Sequence, residues 1–222
     1  MEKPKMTGND TYEVLKKKGI NHLFHANSLT TSLSLLRLKG LASRNYVESA
    51  GLSQTAQYTD NLDKVLGVWG DIFLDTVDIH QRASNLNHYG PILFVIDSQM
   101  VKSAESVLIT KTNPSKWSKA TPFEERYFTT LEELEENWIV GNFDQMLTLQ
   151  TREGIIPFSD HLLNIIIDDP APGNMPSNEF NTAEAEISKL TTQCVIRRQC
   201  AQWCKCKTSY EDKRIILKMF TA

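Results

Sequence analysis

Few groups in this chain combine a reactive side chain with a local pattern that would hold it still. His25 is the first. It lies in "NHLFHANSLTTSLSLLRLKGL", where a short apolar strand signal passes into small hydroxyl residues and then an amphipathic helix. Read from its residues alone, a histidine at such a strand end is expected to be a satisfied, partly buried imidazole. A second group is "DTVDIHQRASNLNHYG", residues 75–90, with Asp75, Asp78, His80 and His88. Carboxylates with imidazoles can bind a metal, but these have no repeating spacing and a solvated loop is expected. Arg82 and Tyr89 in the same stretch are of types that contact a phosphate or a ring, but for them too a solvated loop is the plain expectation.

The four cysteines, Cys194, Cys200, Cys204 and Cys206, run C-x5-C-x3-C-x-C. Zinc sites usually pair two short knuckles, and no second knuckle exists, so the expectation is free thiols and no metal. If the segment is helical, Cys200 and Cys204 share a face. Glu184 and Glu186 in "NTAEAEI" follow a loop rich in Pro, Gly and Asn. They matter only if a catalytic carboxylate is needed near the end of the chain. There is no G-x-G-x-x-G after a strand, P-loop, H-E-x-x-H or G-x-S-x-G elbow.

The elements that must position these groups can be read from periodicity and punctuation. "TYEVLKKKG" predicts a helix stopped by Gly19, and "INHLFHA" a strand. Leu29, Leu33, Leu36 and Leu41 recur at helical spacing, with Lys39-Gly40 as a cationic last turn and its glycine. Residues 45–70 are weakly patterned, with a short helix at "NLDKVLGVWG". "DIFLDTV", "GPILFVID", "ESVLITKT" and "QMLTLQT" predict strands, and "TTLEELEENW" an acidic helix capped by Thr129 or Thr130. "GIIPFSDHLLNIIIDDPAPG" predicts a turn, a helical piece and a strand. "TAEAEISKLTTQCVIRRQCAQWCKCK" predicts one long helix, and "RIILKMF" a terminal strand. Strands and helices do not alternate regularly, which excludes a doubly wound sheet and favours α+β with a largely antiparallel sheet.

At 222 residues the chain suits one domain, 1–222, with the first 19 residues and a basic tail at 187–222 as appendages. Net charge is −3, which excludes a polycation that coats nucleic acid. The charge is uneven. Residues 124–186 carry 14 acids and 2 bases, and residues 187–222 carry 8 bases and 2 acids. Internal pairing is the plain expectation; a local surface for an anionic ligand is the other. No apolar run approaches the roughly 20 residues of a membrane span. A cytoplasmic protein with no membrane partner is expected.

The order of these pieces resembles the ADP-ribosyltransferases, above all the DarT type that modifies DNA. In that family a strand histidine, a hydroxyl residue two positions on and an amphipathic helix ending in Gly-Leu open the domain. His25, Leu33, Leu36, Gly40 and Leu41 fall on that pattern, and Asn27 stands where the family usually has threonine. "DIFLDTVDIHQRAS", "GPILFVID", "FTTLEELEENW" and "TAEAEI" resemble later pieces, so the likeness spans about residues 20–190.

The resemblance implies an α+β fold with a split, largely antiparallel sheet, an NAD cleft and peripheral helices. It implies transfer of ADP-ribose from NAD⁺, used as substrate, to a nucleobase in DNA or RNA. His25 would bond the adenosine-side ribose, with Asn27, Arg82 and Tyr89 also toward NAD⁺. Glu186, or else Glu184, would be the catalytic carboxylate, and Arg44 or Arg82 the catalytic arginine. Arg197, Arg198, Trp203, Lys205 and Lys207 would supply backbone contacts and a stacking ring to nucleic acid. A toxin–antitoxin or phage-defence effector with a neutralising antitoxin protein is implied. Two other classes stay open. One is an RNA 2′-phosphotransferase-like enzyme; the other is a non-enzymatic module that docks a basic partner on its acidic region.

Overall fold

The structure is a computed structural model that describes residues 6–82, 88–171 and 173–222, with the side chains of Gln81 and Arg82 outside the description. In chain order the elements are α1 (Gly8–Lys17), β1 (His22–Asn27), α2 (Leu29–Leu38), β2 (Gly40–Ala42), α3 (Arg44–Ser49), α4 (Asp60–Leu66), β3 (Ile72–Leu74), α5 (Ile79–Arg82), β4 (Ile92–Asp97), β5 (Ser106–Ile109), α6 (Phe123–Arg126), α7 (Leu131–Asn137), β6 (Leu147–Gln150), β7 (Ile155–Pro157), β8 (Leu162–Asp169), α8 (Asn178–Ser188), β9 (Cys194–Gln199), α9 (Lys205–Thr208) and α10 (Tyr210–Lys218).

Among the described residues the strands form three small sheets, ordered β1-β4-β8-β9, β3-β6-β5 and β2-β7. Every pairing is antiparallel except β8 with β9. β4 is central, and Ile92 to Ile96 are all buried, which accounts for its unbroken apolar run. The first two sheets meet at one backbone bridge. Phe24 N–H donates to Asp75 O at 2.9 Å and Asp75 N–H donates to Phe24 O at 3.0 Å. This bridge joins the two sheets beside His25, where the cleft lies.

α2 begins at Ser28, whose hydroxyl accepts from Thr31 N–H. It buries Leu29, Leu33, Leu35 and Leu36, each contributing about 1.5–3 kcal/mol. Its stop differs from expectation. Lys39 itself takes the left-handed conformation, φ 55°, and Gly40 opens β2. A Cβ on Gly40 would stand 2.6 Å from Ile156 O, so this glycine serves the close approach of β2 to β7.

Three predictions at the C-terminal end give way. "RIILKMF" is helix, part of α10. Ser209 caps it, Glu211 and Asp212 fill its first turn, and Ile216 and Phe220 bury one face at i, i+4; the cap and first turn lie before the segment that suggests a strand. The long helix predicted from Thr182 to Lys207 stops at Ser188. Beyond it, Thr191, Thr192, Val195 and Ile196 are β-branched, and β9 finds a parallel partner in β8. The helical piece expected between 154 and 169 is instead β7, a turn and β8. No described helix is long and apolar enough to cross a membrane.

Candidate active site

The cleft lies between β1, the start of α2, α3, β3 and the loop at 113–115. Its lining includes His25, Asn27, Arg44, Trp69, Asp75 and Tyr89, and with the open solvent at its mouth it spans about 990 Å³.

His25 sits in the middle of β1 with its ring held by a neighbouring strand. Nδ1–H donates to the Phe73 carbonyl at 2.9 Å, which leaves Nε2 as the acceptor. Burial pushes its pKa down to about 4, and the Arg44 charge acts in the same direction while the Phe73 bond opposes them. The imidazole is therefore neutral near pH 7. Asn27 ends the strand, buried, with its amide N–H₂ donating to His25 O at 3.3 Å. Gly90 presses on it from across the strand, where a Cβ would meet Asn27 O at 2.2 Å. Tyr89 is held next to that contact, and burial pushes its phenol up to about 12.

Arg44 opens α3 directly after the cap residue Ser43. Its Nη2 donates to Thr55 O and to Asp60 Oδ2, both at 2.9 Å, and its guanidinium lies 5.1 Å from the Trp69 ring. The Thr55 backbone N–H in turn donates to Thr31 Oγ1 at 3.0 Å, and Gln54 Nε2 donates to Arg44 O at 2.9 Å. The loop before α4 is thereby stitched to both α2 and α3. Arg44 Nε, Gln54 Oε1 and Asp60 Oδ1 are among seven buried side-chain atoms of the described residues that have no partner, and Arg44 and Gln54 line the cleft.

The carboxylate is where expectation and structure part. Glu184 and Glu186 lie on α8, whose Phe180, Ala183 and Ile187 face the core against β8 and α2. Neither lines the cleft, and Glu186 Oε1 pairs with Lys189 Nζ at 2.5 Å. The i, i+3, i+4 spacing of the buried residues turns both glutamates away from the site. His25, Asn27, Arg44 and Tyr89 come together; Arg82 belongs to α5, and its side chain lies outside the described residues. The cleft is lined instead by Asp63, Asp71 and Asp75, of which Asp75 is bonded through its backbone to Phe24, the residue before His25. Burial pushes the Asp75 carboxyl up to about 7. The sequence offers Asp75 only as a metal ligand; an acid ending an apolar strand at "DIFLD" is the signal that points to it. Glu153 is a second carboxylate that no sequence pattern singles out. It is exposed and does not line the cleft; the next residue, Gly154, accepts through its carbonyl from Ser43 N–H at 2.8 Å.

Two arginines expected to face nucleic acid are engaged internally. Arg197 donates through Nε to buried Asp169 at 2.7 Å and through Nη1 and Nη2 to the carbonyls of Asn174 and Met175. Arg198 pairs with Asp168 and Asp78. The plain expectation of internal pairing holds for both. Trp203 and Lys205 are exposed.

No protein-family model and no curated protein matches the chain. Solved structures do. The fold is similar to that of DarT from Thermus sp. 2.9 in complex with ADP-ribosylated ssDNA, with a TM-score of 0.50 and 10% identity over 81% of this chain and 95% of that one. Complexes of the same Thermus protein with NAD⁺ and with carba-NAD⁺ align at TM-scores of 0.48 and 0.46, each at 13% identity over 81% of this chain and 96% of that one. The expected α+β fold with a largely antiparallel sheet is the one observed, and it is similar to that of the Thermus protein.

Proposed function

We propose that this protein is a mono-ADP-ribosyltransferase that moves ADP-ribose from NAD⁺ to a nucleobase of a nucleic acid. The observation that carries the reading is His25, a neutral imidazole locked by the Phe73 carbonyl at 2.9 Å inside the cleft of this fold. Its Nε2 can accept from a ribose hydroxyl without adding charge. Arg44, anchored by Thr55 O and Asp60, adds a fixed cation for the pyrophosphate.

In the reaction the bond between the nicotinamide nitrogen and the ribose C1′ breaks. Nicotinamide leaves with the electron pair, and positive charge develops on C1′. A ring or exocyclic nitrogen of the base then bonds C1′ and gives up a proton. Asp75 is our assignment for the carboxylate that receives that proton, since a group poised near pH 7 serves as a base at neutral pH. Its ionised form also stabilises the developing cation. Glu153 is the second assignment, since its neighbour Gly154 is bonded to Ser43, the residue before Arg44. Glu184 and Glu186 do not line the cleft, and we rank both below Asp75.

The acceptor class rests on the ssDNA in the similar Thermus structure. The effector role, a neutralising protein partner and a cytoplasmic location rest on the family resemblance. The test is purified protein with labelled NAD⁺, offered separately to ssDNA, RNA and cell extract. Transfer to one nucleic acid, abolished in Asp75→Asn and retained in Glu153→Gln, supports the full reading. The reverse pattern moves the carboxylate to Glu153. Label on protein alone discards the nucleobase, and absence of both transfer and NAD⁺ binding by calorimetry sinks the enzyme.

A further inference from the structure

The four groups His80, Cys200, Cys204 and Cys206 are scattered over 127 residues of sequence, yet all are buried and converge on one point. Their ligand atoms, one imidazole nitrogen and three sulfurs, lie within 4.8 Å of one another. Cys204 Sγ is 2.8 Å from Cys206 Sγ, Cys206 Sγ is 3.1 Å from Cys200 Sγ, and Cys204 Sγ is 3.7 Å from His80 Nε2. A disulfide would need about 2.05 Å between two sulfurs, and three cysteines cannot all pair. A tetrahedral zinc with Zn–S near 2.3 Å and Zn–N near 2.0 Å has S–S edges of about 3.8 Å and S–N edges of about 3.5 Å. The S–N distance is close to its edge and the two S–S distances are shorter than theirs, so the four groups are gathered tightly enough to close round one ion once the sulfurs spread.

We propose that His80, Cys200, Cys204 and Cys206 form a structural zinc site that ties the C-terminal segment to α5. The orientation of His80 is the second, independent support. Its Nδ1 is bonded to the Asp168 carboxylate, which turns Nε2 toward the sulfurs. A carboxylate behind a ligating histidine is the arrangement that fixes its ring and raises its basicity. Asp168 is itself gripped by Arg198, through Nη2 at 2.8 Å, and Arg198 also pairs with Asp78. Asp78 Oδ1 accepts from the His80 backbone N–H at 3.1 Å. The buried cations and anions that surround the cluster thus hold one imidazole in one pose. Three thiolates and an imidazole are a soft donor set that selects zinc over magnesium or calcium.

The site closes a long loop between elements that bound the cleft. His80 follows Asp75 by five residues on the exit from β3. After Cys206 the chain runs into α10, whose end returns to the start of α2. Leu29 N–H donates to Met219 O at 2.9 Å, and Thr30 Oγ1 donates to Thr221 O at 2.8 Å. One ion would therefore brace the back of β3 and, through α10, the helix start beside Asn27. This proposal stands apart from the proposed reaction and replaces the expectation of no metal.

The test is the metal content of the full chain, purified without chelators from zinc-supplemented cells, by elemental analysis. One zinc per chain is expected, retained in Cys194→Ser because Cys194 is exposed and outside the cluster. His80→Ala and Cys206→Ser should each lose at least tenfold in zinc content. Because those variants can misfold, thiol labelling of the native chain gives a second reading. Cys194 alone should react until a chelator is added, when the other three become reactive. Cobalt replacing zinc should give the intense visible bands of a tetrahedral thiolate site. Substoichiometric zinc after anaerobic refolding with zinc, with all four thiols reactive from the outset, would overturn the proposal, as would stoichiometric metal that survives Cys206→Ser.

Discussion

Replacing Asp75 by Asn should stabilise this protein and disable it at once. The Asp75 carboxyl is pushed from 3.8 up to about 7 by burial. At 1.36 kcal/mol per pH unit, ionising it in the folded chain costs about 4 kcal/mol, which access to solvent at the cleft mouth reduces to about 2 kcal/mol. The sign follows from proton counts. Between pH 3.8 and 7 the folded state holds the proton and the unfolded state has released it. Stability contributed by this group therefore falls as pH rises through that window, and the full penalty applies above about 7. Asn has the same shape and no charge to bury. Urea unfolding of the two proteins should coincide at about pH 4 and separate by about 2–4 kcal/mol in favour of the Asp75→Asn variant at about pH 8, while transfer from NAD⁺ drops by about 10²–10⁴. Taking the difference between the two proteins cancels every other titrating group. A stability difference that does not change with pH would refute the claim that Asp75 is buried and titrates near neutrality. Full activity in the variant would refute its role as base.

Other outcomes follow from the same geometry. His25→Ala should raise the KM for NAD⁺ about tenfold with a smaller change in kcat, and should cost about 1–3 kcal/mol in urea unfolding because the Phe73 carbonyl loses its donor. The double change Glu184→Gln/Glu186→Gln should leave steady-state transfer within about twofold, since α8 holds both away from the cleft and exposed pairs such as Glu186–Lys189 contribute at most about 1 kcal/mol. Gly40→Ala should lower stability by about 1–3 kcal/mol, seen as a fall of several degrees in thermal unfolding, because its Cβ would meet Ile156 O at 2.6 Å.

What sequence pattern could and could not carry divides by the range of the interaction. Helices α1, α2, α4 and α7 and strands β1 and β3 to β6 follow from local signals: caps at Ser28 and Thr130, Gly19 after α1, apolar runs such as "ILFVID". His25, Asn27 and Arg44 are found through the family resemblance, and they lie within twenty residues of one another around α2. The carboxylate is not local. Which acid reaches the cleft depends on β3 crossing to meet Phe24, a contact 51 residues away that no periodicity encodes. Likewise β9 is a strand because β8 pairs with it; read alone, its sequence continues the preceding helix.

The basic tail shows how far this matters for function. Counted along the chain, residues 187–222 look like a surface for an anionic polymer. In space, Arg197 and Arg198 meet Asp168 and Asp169, acids from the strand beside them, and all four are taken out of any encounter with phosphate. A nucleic acid approaching this face would have to break ion pairs whose carboxylates are buried, at a cost of about 3–5 kcal/mol for each charge left unpaired. Binding to the backbone must therefore rest on the exposed remainder, such as Lys205 beside Trp203. On a single strand each phosphate neutralised by a free cation adds about 0.7 to the magnitude of the slope of log affinity against log salt, and these two arginines are not free to add it. A salt dependence measured with ssDNA should show a slope of about −2 to −3 in place of the steeper one that eight basic residues would suggest. Lys205→Ala should flatten that slope, while Arg197→Ala should instead lower stability. A slope unchanged by Lys205→Ala and abolished by Arg197→Ala would mean that the internal ion pairs open to receive the acceptor.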